Sequence, residues 1–273
     1  MPSLALRDTH LHYEQRGDGE PLALLNGVLM TTASWGPMLP SLAERHEVLL
    51  HDFRGQLKSR WTTHRLSLDD HVEDFRALLD HLGIASCHLL GTSYGGEVGI
   101  LFAARYPERV RSLAIVASVA HLEPDLAAKT AAWAEAAASG PRALFRTMLP
   151  DTYSPGFREL NPAMLAAAEE RLAALPPEFF ASFAELVAAF HRLDLRGELG
   201  EIRCPTLVVA AELDTLKPPA YSREIAAGIA QARLAVVRHA GHAVVLERPD
   251  EVVRLLLDFL SKIDTTSVVS SSA

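Results

Sequence analysis

The amino-acid sequence predicts an α/β protein in which a mostly parallel sheet is covered by helices on both faces. Short apolar segments of strand length alternate with segments of helical character along most of the chain. The chain has 273 residues, of which 49% are hydrophobic and 22% are charged. It is therefore long enough and apolar enough to bury a substantial core.

The predicted strands are apolar runs that end at turn residues. Thr9–Gly17 tends towards alternation and ends in a Gly-Asp-Gly-Glu-Pro turn, which indicates an antiparallel strand. The later runs are continuously apolar, which is typical of strands buried on both faces. These runs are Pro21–Gly27, Glu47–Gly55, Cys87–Leu90, Ser112–Ala117, Pro205–Ala211 and Arg233–His239.

Helices are predicted between these strands. The clearest is Ser67–Gly83, because Ser67 is a suitable N-cap, apolar residues recur at helical spacing, and Gly83 follows the last of them. The others are Ser34–Arg45, Tyr94–Tyr106, Ala220–Ala230 and Asp250–Lys262.

One long stretch, His121–Gly200, interrupts the alternation. It is rich in Ala, Leu and Phe, is punctuated by proline, and contains no strand-like run. We expect several helices inserted between two strands and lying over the sheet. The predicted organisation is thus a core domain of residues 1–120 and 201–263, a helical cap of residues 121–200, and a flexible tail of residues 264–273.

Composition argues against several classes of function. The formal net charge is −8 and no basic stripe is present, so a nucleic-acid partner is not expected. The first ten residues do not resemble a signal peptide, and no run reaches the roughly 18 apolar residues of a membrane span, so we expect a cytoplasmic protein without a membrane partner. Cys87 and Cys204 adjoin apolar runs, which favours two reduced core thiols over a disulfide.

A single hydroxyl marks the turn between a predicted strand and a predicted helix. Gly91-Thr92-Ser93-Tyr94-Gly95 has the pattern G-x-S-x-G, which is typical of a sharp turn that exposes a nucleophilic serine. Side chains at the flanking positions would clash in so tight a turn, so glycine is needed there. The backbone N–H of Tyr94, at the helix start, would then face a developing oxyanion.

Other interpretations of the local motifs fit less well. A plain glycine-rich turn would also give Gly91–Gly95, and a dinucleotide-binding G-x-G-x-x-G would need glycine where Ser93 stands. His46–His51 resembles a zinc-protease signature, but that signature needs two histidines four residues apart on a helix, and this segment is predicted to be a strand. No metal site is expected.

A serine nucleophile needs a base and an acid that orients the base. Asp214 and His242 each follow a predicted strand, at the sheet edge where open α/β sheets build their sites. The chain order Ser93, Asp214, His242 is the order expected for this motif. His239 is interpreted as structural, and Glu212 and Glu123 remain as rival acids.

Five stretches together resemble the α/β-hydrolase family. They are Leu-Leu-Asn-Gly, Asp-Phe-Arg-Gly-Gln-Leu-Lys-Ser, the segment around Ser93, Pro-Thr-Leu-Val-Val-Ala-Ala-Glu-Leu-Asp-Thr-Leu-Lys-Pro, and the segment after His239. The resemblance implies an eight-stranded, mostly parallel sheet with a cap inserted after the sixth strand. It also implies that Ser93 is the nucleophile, that His242 is the general base and acid, that Asp214 orients it, and that the backbone N–H groups of Val28 and Tyr94 form an oxyanion hole.

The chain departs from the family pattern at two positions. The family commonly has His-Gly where this chain has Asn26-Gly27, and a second glycine where this chain has Leu57. The oxyanion donor at Val28 belongs to the backbone, so it can survive the first change. Asn26 is expected either to brace the loop or to touch substrate.

The expected function is that of a serine hydrolase without a cofactor. Several phenylalanines of the insert, together with the candidate substrate-binding residues Asn26, Gly27, Met30 and Trp35, favour a small and largely apolar ester. A carboxylesterase is expected first and an enol-lactonase second. A thioesterase, a carbon–carbon bond hydrolase, a perhydrolase and a slow-turnover ligand binder remain open, as does the oligomeric state.

Overall fold

A single eight-stranded sheet organises the protein, whose computed structural model describes residues 2–6, 8–62 and 64–270. The strands follow the order β1-β2-β4-β3-β5-β6-β7-β8, in which the pairs β1–β2 and β2–β4 are antiparallel and the rest are parallel. This architecture confirms the predicted fold class. The strands are β1 (Ser3–Ala5), β2 (His10–Arg16), β3 (Glu20–Leu25), β4 (His46–His51), β5 (Cys87–Thr92), β6 (Val110–Val116), β7 (Thr206–Ala211) and β8 (Ala232–Val237).

The inner strands β5 and β7 have no solvent-exposed face. Every residue of β5 and β7 is buried, because helices cover both sides of the sheet. The edge strand β8 is mostly exposed or half-buried instead. β5 lies between β3 and β6, so the turn that follows it stands at the centre of the sheet's carboxyl edge.

The helices lie between and after these strands. They are α1 (Leu39–Ala43), α2 (Leu68–His81), α3 (Tyr94–Arg105), α4 (Pro124–Ser139), α5 (Pro141–Thr152), α6 (Pro155–Leu160), α7 (Pro162–Ala173), α8 (Pro177–Phe190), α9 (Pro219–Gly228), α10 (Val244–Glu247) and α11 (Pro249–Ser270). No single helix within these bounds is long and apolar enough to cross a membrane. The bent pair of α7 and α8 has the necessary length and apolar composition only when the two helices are taken together.

The prediction of one helix over Ser34–Arg45 is wrong. The segment forms a 3₁₀ turn at Thr32–Trp35 and then the five-residue helix α1. Pro37 and Pro40 explain the break, because proline lacks the N–H that would continue a helical ladder. In contrast, α2 begins after Ser67, whose hydroxyl accepts a hydrogen bond from the backbone N–H of Asp70, as its sequence predicts.

Five helices, α4 to α8, stand between β6 and β7. Each begins with a proline at its first turn, where the missing N–H costs nothing. Ser182 of α8 joins this helical insert to the core, since its hydroxyl donates to the carbonyl of Gly55 at 3.0 Å and accepts from the N–H of Thr62 at 3.1 Å.

Both ends of the chain differ from the predicted elements. β1 was absent from the predicted strands, because three residues are too few to show a pattern. At the other end, the backbone of α11 is helical to Ser270, past the predicted end at Lys262. Residues 271–273 of the predicted tail lie outside the described residues.

The two cysteines are buried free thiols. Burial raises the pKa of Cys87 to about 12 and that of Cys204 to about 11. Both thiols therefore stay protonated and act as small apolar core groups.

Two histidines are buried in an aromatic cluster beside α2 and α3. The ring of His51 stacks on Phe75 at 5.4 Å, and the ring of His71 meets Tyr94 edge-on at 5.5 Å. Among the described residues, no partner hydrogen-bonds to either ring nitrogen of either histidine. Burial disfavours the charged form and lowers the pKa of both imidazoles to about 3.

We expect the free energy of unfolding to fall as pH drops below about 6.5, because the unfolded chain then binds protons at His51 and His71 while the folded chain binds none until about pH 3. Each histidine contributes roughly 1.4 kcal/mol per pH unit over this window. Urea unfolding between about pH 7 and pH 4 checks this. The double variant His51→Leu/His71→Leu should lose stability less steeply than the wild type, and equal slopes would contradict the assignment.

Candidate active site

Ser93 occupies a strained turn between β5 and α3. Its backbone has φ 51° and ψ −119°, a conformation that residues other than glycine rarely adopt. Glycine is required on either side: a Cβ on Gly91 would lie 2.3 Å from the Gly95 carbonyl oxygen, and a Cβ on Gly95 would lie 2.1 Å from that of Leu25. The G-x-S-x-G pattern is thus a packing requirement of this turn.

Backbone and hydroxyl hydrogen bonds hold the turn in place. The N–H of Ser93 donates to the carbonyl of Val116 at 2.8 Å, and the hydroxyl of Ser118 donates to the carbonyl of Ser93 at 2.8 Å. Since β6 ends at Val116, the neighbouring strand fixes the position of the serine.

Ser93, His242 and Asp214 form one hydrogen-bonded chain. Ser93 Oγ lies 2.9 Å from His242 Nε2, and His242 Nδ1 lies 2.8 Å from Asp214 Oδ2. The carboxylate can only accept, so Nδ1 carries the proton and Nε2 is free to accept the serine proton. The side chains of His242 and Asp214 are 9% and 0% exposed, which shields the chain from bulk water.

The second oxygen of Asp214 is also fixed. Oδ1 accepts from the backbone N–H groups of Leu216 at 2.9 Å and Lys217 at 2.7 Å. These bonds orient the carboxylate towards His242.

The rival residues lie elsewhere. Glu212 accepts from the backbone N–H of His239 at 2.9 Å, and the His239 side chain is 76% exposed. Glu123 precedes α4 and lies 3.7 Å from His121. None of these three joins the chain of Ser93.

The expected oxyanion donors belong to two different segments, and both residues line a pocket together with Ser93. Tyr94 is the first residue of α3, where the backbone N–H groups have no acceptor within the helix. Val28 follows Gly27, and a Cβ on Gly27 would lie 3.5 Å from the Ser93 Cβ, which is ordinary van der Waals contact. The loop that carries Val28 therefore passes beside the serine.

Asn26 and Trp35 do not reach the cleft, contrary to their expected role in binding. Both are fully buried, and Trp35 Nε1 donates to Asn26 Oδ1 at 2.7 Å. Asn26 Nδ2 in turn donates to Asp52 Oδ1 at 3.1 Å, and the same oxygen accepts from the N–H of Thr32 at 2.8 Å. Asn26 thus braces the loop that carries Gly27 and Val28.

Leu57 has a backbone conformation that favours glycine, the residue that the family resemblance implies at this position. Its φ is 26°, on the left-handed side where glycine is favoured. The Leu57 carbonyl accepts from Trp61 Nε1 at 3.0 Å, which holds the turn. The leucine side chain lines the cleft, so the departure from glycine adds apolar surface there.

A buried ion pair beside Ser93 was missed from the sequence. Lys217 Nζ lies 3.2 Å from Ser93 Oγ and 2.9 Å from Glu97 Oε1, and the two side chains are 4% and 0% exposed. The available signal was the charged residue Glu97 in the first turn of a mostly apolar helix. Burial raises the pKa of Glu97, and the neighbouring Lys217 ammonium opposes this shift.

Glu247 ties the helical insert to the histidine loop. Its carboxylate accepts from the N–H of Ser154 at 2.8 Å, from the Ser154 hydroxyl at 2.6 Å, and from the N–H of Gly241 at 3.1 Å. The N–H of Ala243 donates to the carbonyl of Thr152 at 2.8 Å. The residues on both sides of His242 are therefore held by the insert.

Two clefts meet at Ser93 and share Val28 and Trp133. The small pocket has about 360 Å³ of empty space, counted together with its part open to solvent, and is lined by Tyr94, Leu186, Val187, Phe190 and Lys217 among others. The large cleft, measured in the same way, has about 2250 Å³ and is lined in part by the insert. Its lining includes the expected Gly27 and Met30, as well as Phe145, Met148, Leu149 and His242.

Two other phenylalanines of the insert have a different place. Phe179 and Phe183 are buried in the core and line neither cleft. Within residues 2–6, 8–62 and 64–270, no group of three or more His, Cys, Asp or Glu side chains is arranged to hold a metal ion.

Residues 20–249 match a family model described as alpha/beta hydrolase fold. The chain belongs to the alpha/beta hydrolase family. It is 34% identical, over 97% of its length and 100% of the relative's, to a protein of Azorhizobium caulinodans named "Putative carbamate hydrolase RutD".

Solved structures agree with this assignment. MGS-M2, an alpha/beta hydrolase enzyme from a Medee basin deep-sea metagenome library, is similar with a TM-score of 0.91 and 28% identity, over 95% of this chain and 97% of that one. The enol-lactonase from Burkholderia xenovorans LB400 is similar with a TM-score of 0.86 and 29% identity, over 95% of this chain and 100% of that one. The resemblance seen in the sequence is confirmed.

We expect Glu247→Gln to lower both stability and turnover, because an amide offers one accepting oxygen where three donors now meet a carboxylate. The loss should be about 1–3 kcal/mol in the free energy of unfolding. Urea unfolding and steady-state kinetics check this, with Glu201→Gln on the exposed surface as the matched control. A variant as stable and active as the control would show that the tie is dispensable.

Proposed function

We propose that this protein is a serine hydrolase that cleaves a small, largely apolar ester through an acyl-enzyme on Ser93. The single observation that carries the proposal is the chain of two hydrogen bonds from Ser93 through His242 to Asp214, at 2.9 and 2.8 Å. It stands at the meeting point of two apolar-lined clefts. A carboxylesterase is the function these features support best.

The first half of the reaction forms the acyl-enzyme. Ser93 Oγ attacks the ester carbonyl while its proton passes to His242 Nε2. The N–H groups of Val28 and Tyr94 stabilise the oxyanion that forms. The carbon–oxygen bond to the alcohol then breaks, and the alcohol leaves with the proton from His242.

Water completes the cycle. His242 takes a proton from water as the hydroxide adds to the acyl carbon, and the bond to Ser93 Oγ breaks when His242 returns that proton to it. Asp214 holds the imidazole in the required tautomer and stabilises the imidazolium in both halves. Apart from the protein's own groups, each step of this cycle uses only the substrate and water.

A lactone is the second candidate substrate class. The relative from Burkholderia xenovorans is an enol-lactonase and shares the fold over 95% of this chain. Ring opening uses the same acyl-enzyme, with the alcohol still attached to the acyl group. The carbamate in the name of the Azorhizobium relative is also an acyl derivative that this triad could attack.

We expect purified protein to hydrolyse p-nitrophenyl acetate and butyrate, and Ser93→Ala to remove at least about 10³-fold of kcat because the nucleophile is lost. Asp214→Asn should cost about 10⁴-fold in kcat, because the amide no longer selects the Nδ1–H tautomer. Ser139→Ala, on the surface, is the matched control. Absorbance of p-nitrophenolate measures all three variants.

Two further measurements separate the alternatives. A fluorophosphonate probe should label the wild type and leave Ser93→Ala unlabelled, whereas an inert scaffold would not be labelled at all. A lactone is assayed beside the esters by proton release, and methyl carbamate is assayed by the ammonia that its hydrolysis yields. Strong ligand-induced thermal shifts with negligible turnover of every compound would instead identify a binding protein.

A further inference from the structure

The two clefts at Ser93 have unequal size and unequal chemistry. The small pocket of about 360 Å³ contains Tyr94 and Lys217 but not His242. The large cleft of about 2250 Å³ is lined by His242. Val28 and Ser93 belong to both, so a carbonyl attacked by Ser93 would send one substituent into each space.

The position of His242 decides which substituent goes where. Its Nε2 takes the serine proton and must deliver it to the oxygen of the leaving alcohol, so that oxygen has to face the imidazole. The alcohol therefore lies in the space that His242 lines. The acyl group, which stays bonded to Oγ, is left with the other space.

We propose, resting on the proposed esterase function, that the small pocket holds the acyl group and the large cleft holds the alcohol. The substrate class is thus an ester of a short acyl group with a long or bulky apolar alcohol. Leu186, Val187 and Phe190 limit the acyl group, because these α8 side chains are at least nine-tenths buried and line the small pocket. Phe145, Met148 and Leu149 of α5 offer the apolar surface for the alcohol.

Two isomeric esters test the assignment. Octyl acetate and ethyl octanoate have the same composition and nearly the same hydrophobicity, but they place the long chain on opposite sides of the carbonyl. Proton release by the wild type should give a kcat/KM at least about 10-fold higher for octyl acetate, which corresponds to burial of only a few methylene groups. Equal rates, a preference for ethyl octanoate, or cleavage of neither would overturn the assignment.

A pair of variants locates each preference. With p-nitrophenol as the common leaving group, Val187→Ala should raise the rate ratio of butyrate to acetate, because it widens the small pocket. Phe145→Ala should leave that ratio unchanged and raise the KM for octyl acetate. The opposite pattern would exchange the two spaces. Ser93-dependent hydrolysis of p-nitrophenyl acetate is measured in parallel, so failure of the assignment is distinguishable from failure of the esterase function itself.

An independent observation concerns Lys217. Its ammonium touches the reacting oxygen, with Nζ at 3.2 Å from Ser93 Oγ, and it is held there by Glu97 Oε1 at 2.9 Å and by the Phe190 ring, whose centroid is 4.8 Å away. Its own backbone N–H binds Asp214, so one loop carries both groups. A buried ion pair contributes little net stability, so its position at Oγ calls for another explanation.

The geometry points to Lys217 as a further catalytic residue. The ammonium can only donate, so it occupies a lone pair of Oγ and leaves the serine proton directed at His242 Nε2. As the bond from the acyl carbon to Oγ breaks during deacylation, negative charge develops on Oγ while His242 returns its proton. A charge-assisted hydrogen bond from Lys217 stabilises that charge.

Charge-neutral variants separate this role from a structural one. Lys217→Met strands the buried Glu97 carboxylate and should lower the unfolding temperature, whereas Glu97→Gln/Lys217→Met removes both charges and should recover most of that loss. Both variants should still lose about 10-fold or more of kcat towards p-nitrophenyl acetate, with KM changed by less than about twofold. Fluorophosphonate labelling of Ser93 should slow in parallel.

The double variant is the decisive measurement. If it recovers wild-type kcat and labelling rate together with stability, Lys217 serves only the fold and the inference is wrong. Lys58→Met is the matched control for loss of one lysine charge, since its ammonium is 38% exposed and pairs with Glu14. Should the double variant not fold, the labelling rate of Lys217→Met, measured below its unfolding temperature, decides instead: a rate equal to the wild type overturns the inference.

Discussion

The close approach of three backbone segments around Ser93 is the constraint on which the site depends. β5 must end and α3 must begin within one residue, while the end of β3 passes within van der Waals contact of both. Only glycine at positions 91 and 95 permits that approach, and the resulting strain is concentrated at Ser93. The strain is sustained because the neighbouring strand binds the serine through Val116 and Ser118. A nucleophile so placed needs no conformational search before it meets its base.

Buried carboxylates fix the loops around this turn. Asp52 holds the loop of Gly27 and Val28 through Asn26 and Thr32, and burial raises the pKa of its carboxyl while hydrogen bonds from its neighbours oppose that shift. Asp214 holds the imidazole, and Glu247 holds the loop that carries it. Each carboxylate accepts from at least two donors, so each loop is fixed in orientation as well as in distance. Loops tied in this way can present reactive groups while remaining at the surface of the sheet.

The helical insert has two structural tasks besides covering the cleft. Through Ser154 it binds the same carboxylate as Gly241, and through Ser182 it binds the loop that follows β4. It thereby couples the shape of the substrate space to the position of His242. The helical insert therefore contributes both to the shape of the substrate space and to the position of His242.

The sequence alone determined the alternating pattern, and with it the fold class, because wholly buried strands and amphipathic helices follow from local hydrophobicity. It also pointed to Ser93, Asp214 and His242 together, since each stands just after an apolar run and the carboxyl ends of parallel strands meet at one edge. The sequence did not predict the three-residue strand β1 or the division of the helix around Pro37. Elements this short have too few residues for a pattern to show.

Only the tertiary structure decided which polar groups act and which merely support. Asn26 and Trp35 flank the loop of Gly27 and Val28 in the sequence, but their buried side chains hydrogen-bond to each other. No local pattern distinguishes a side chain that turns into the core from one that turns towards the substrate. Lys217 and Glu97 are 120 residues apart in the chain and become neighbours only when the loop after β7 approaches α3. The sequence does not show which charged residues are buried. The role of Lys217 follows from its contact with Ser93 Oγ in the folded protein.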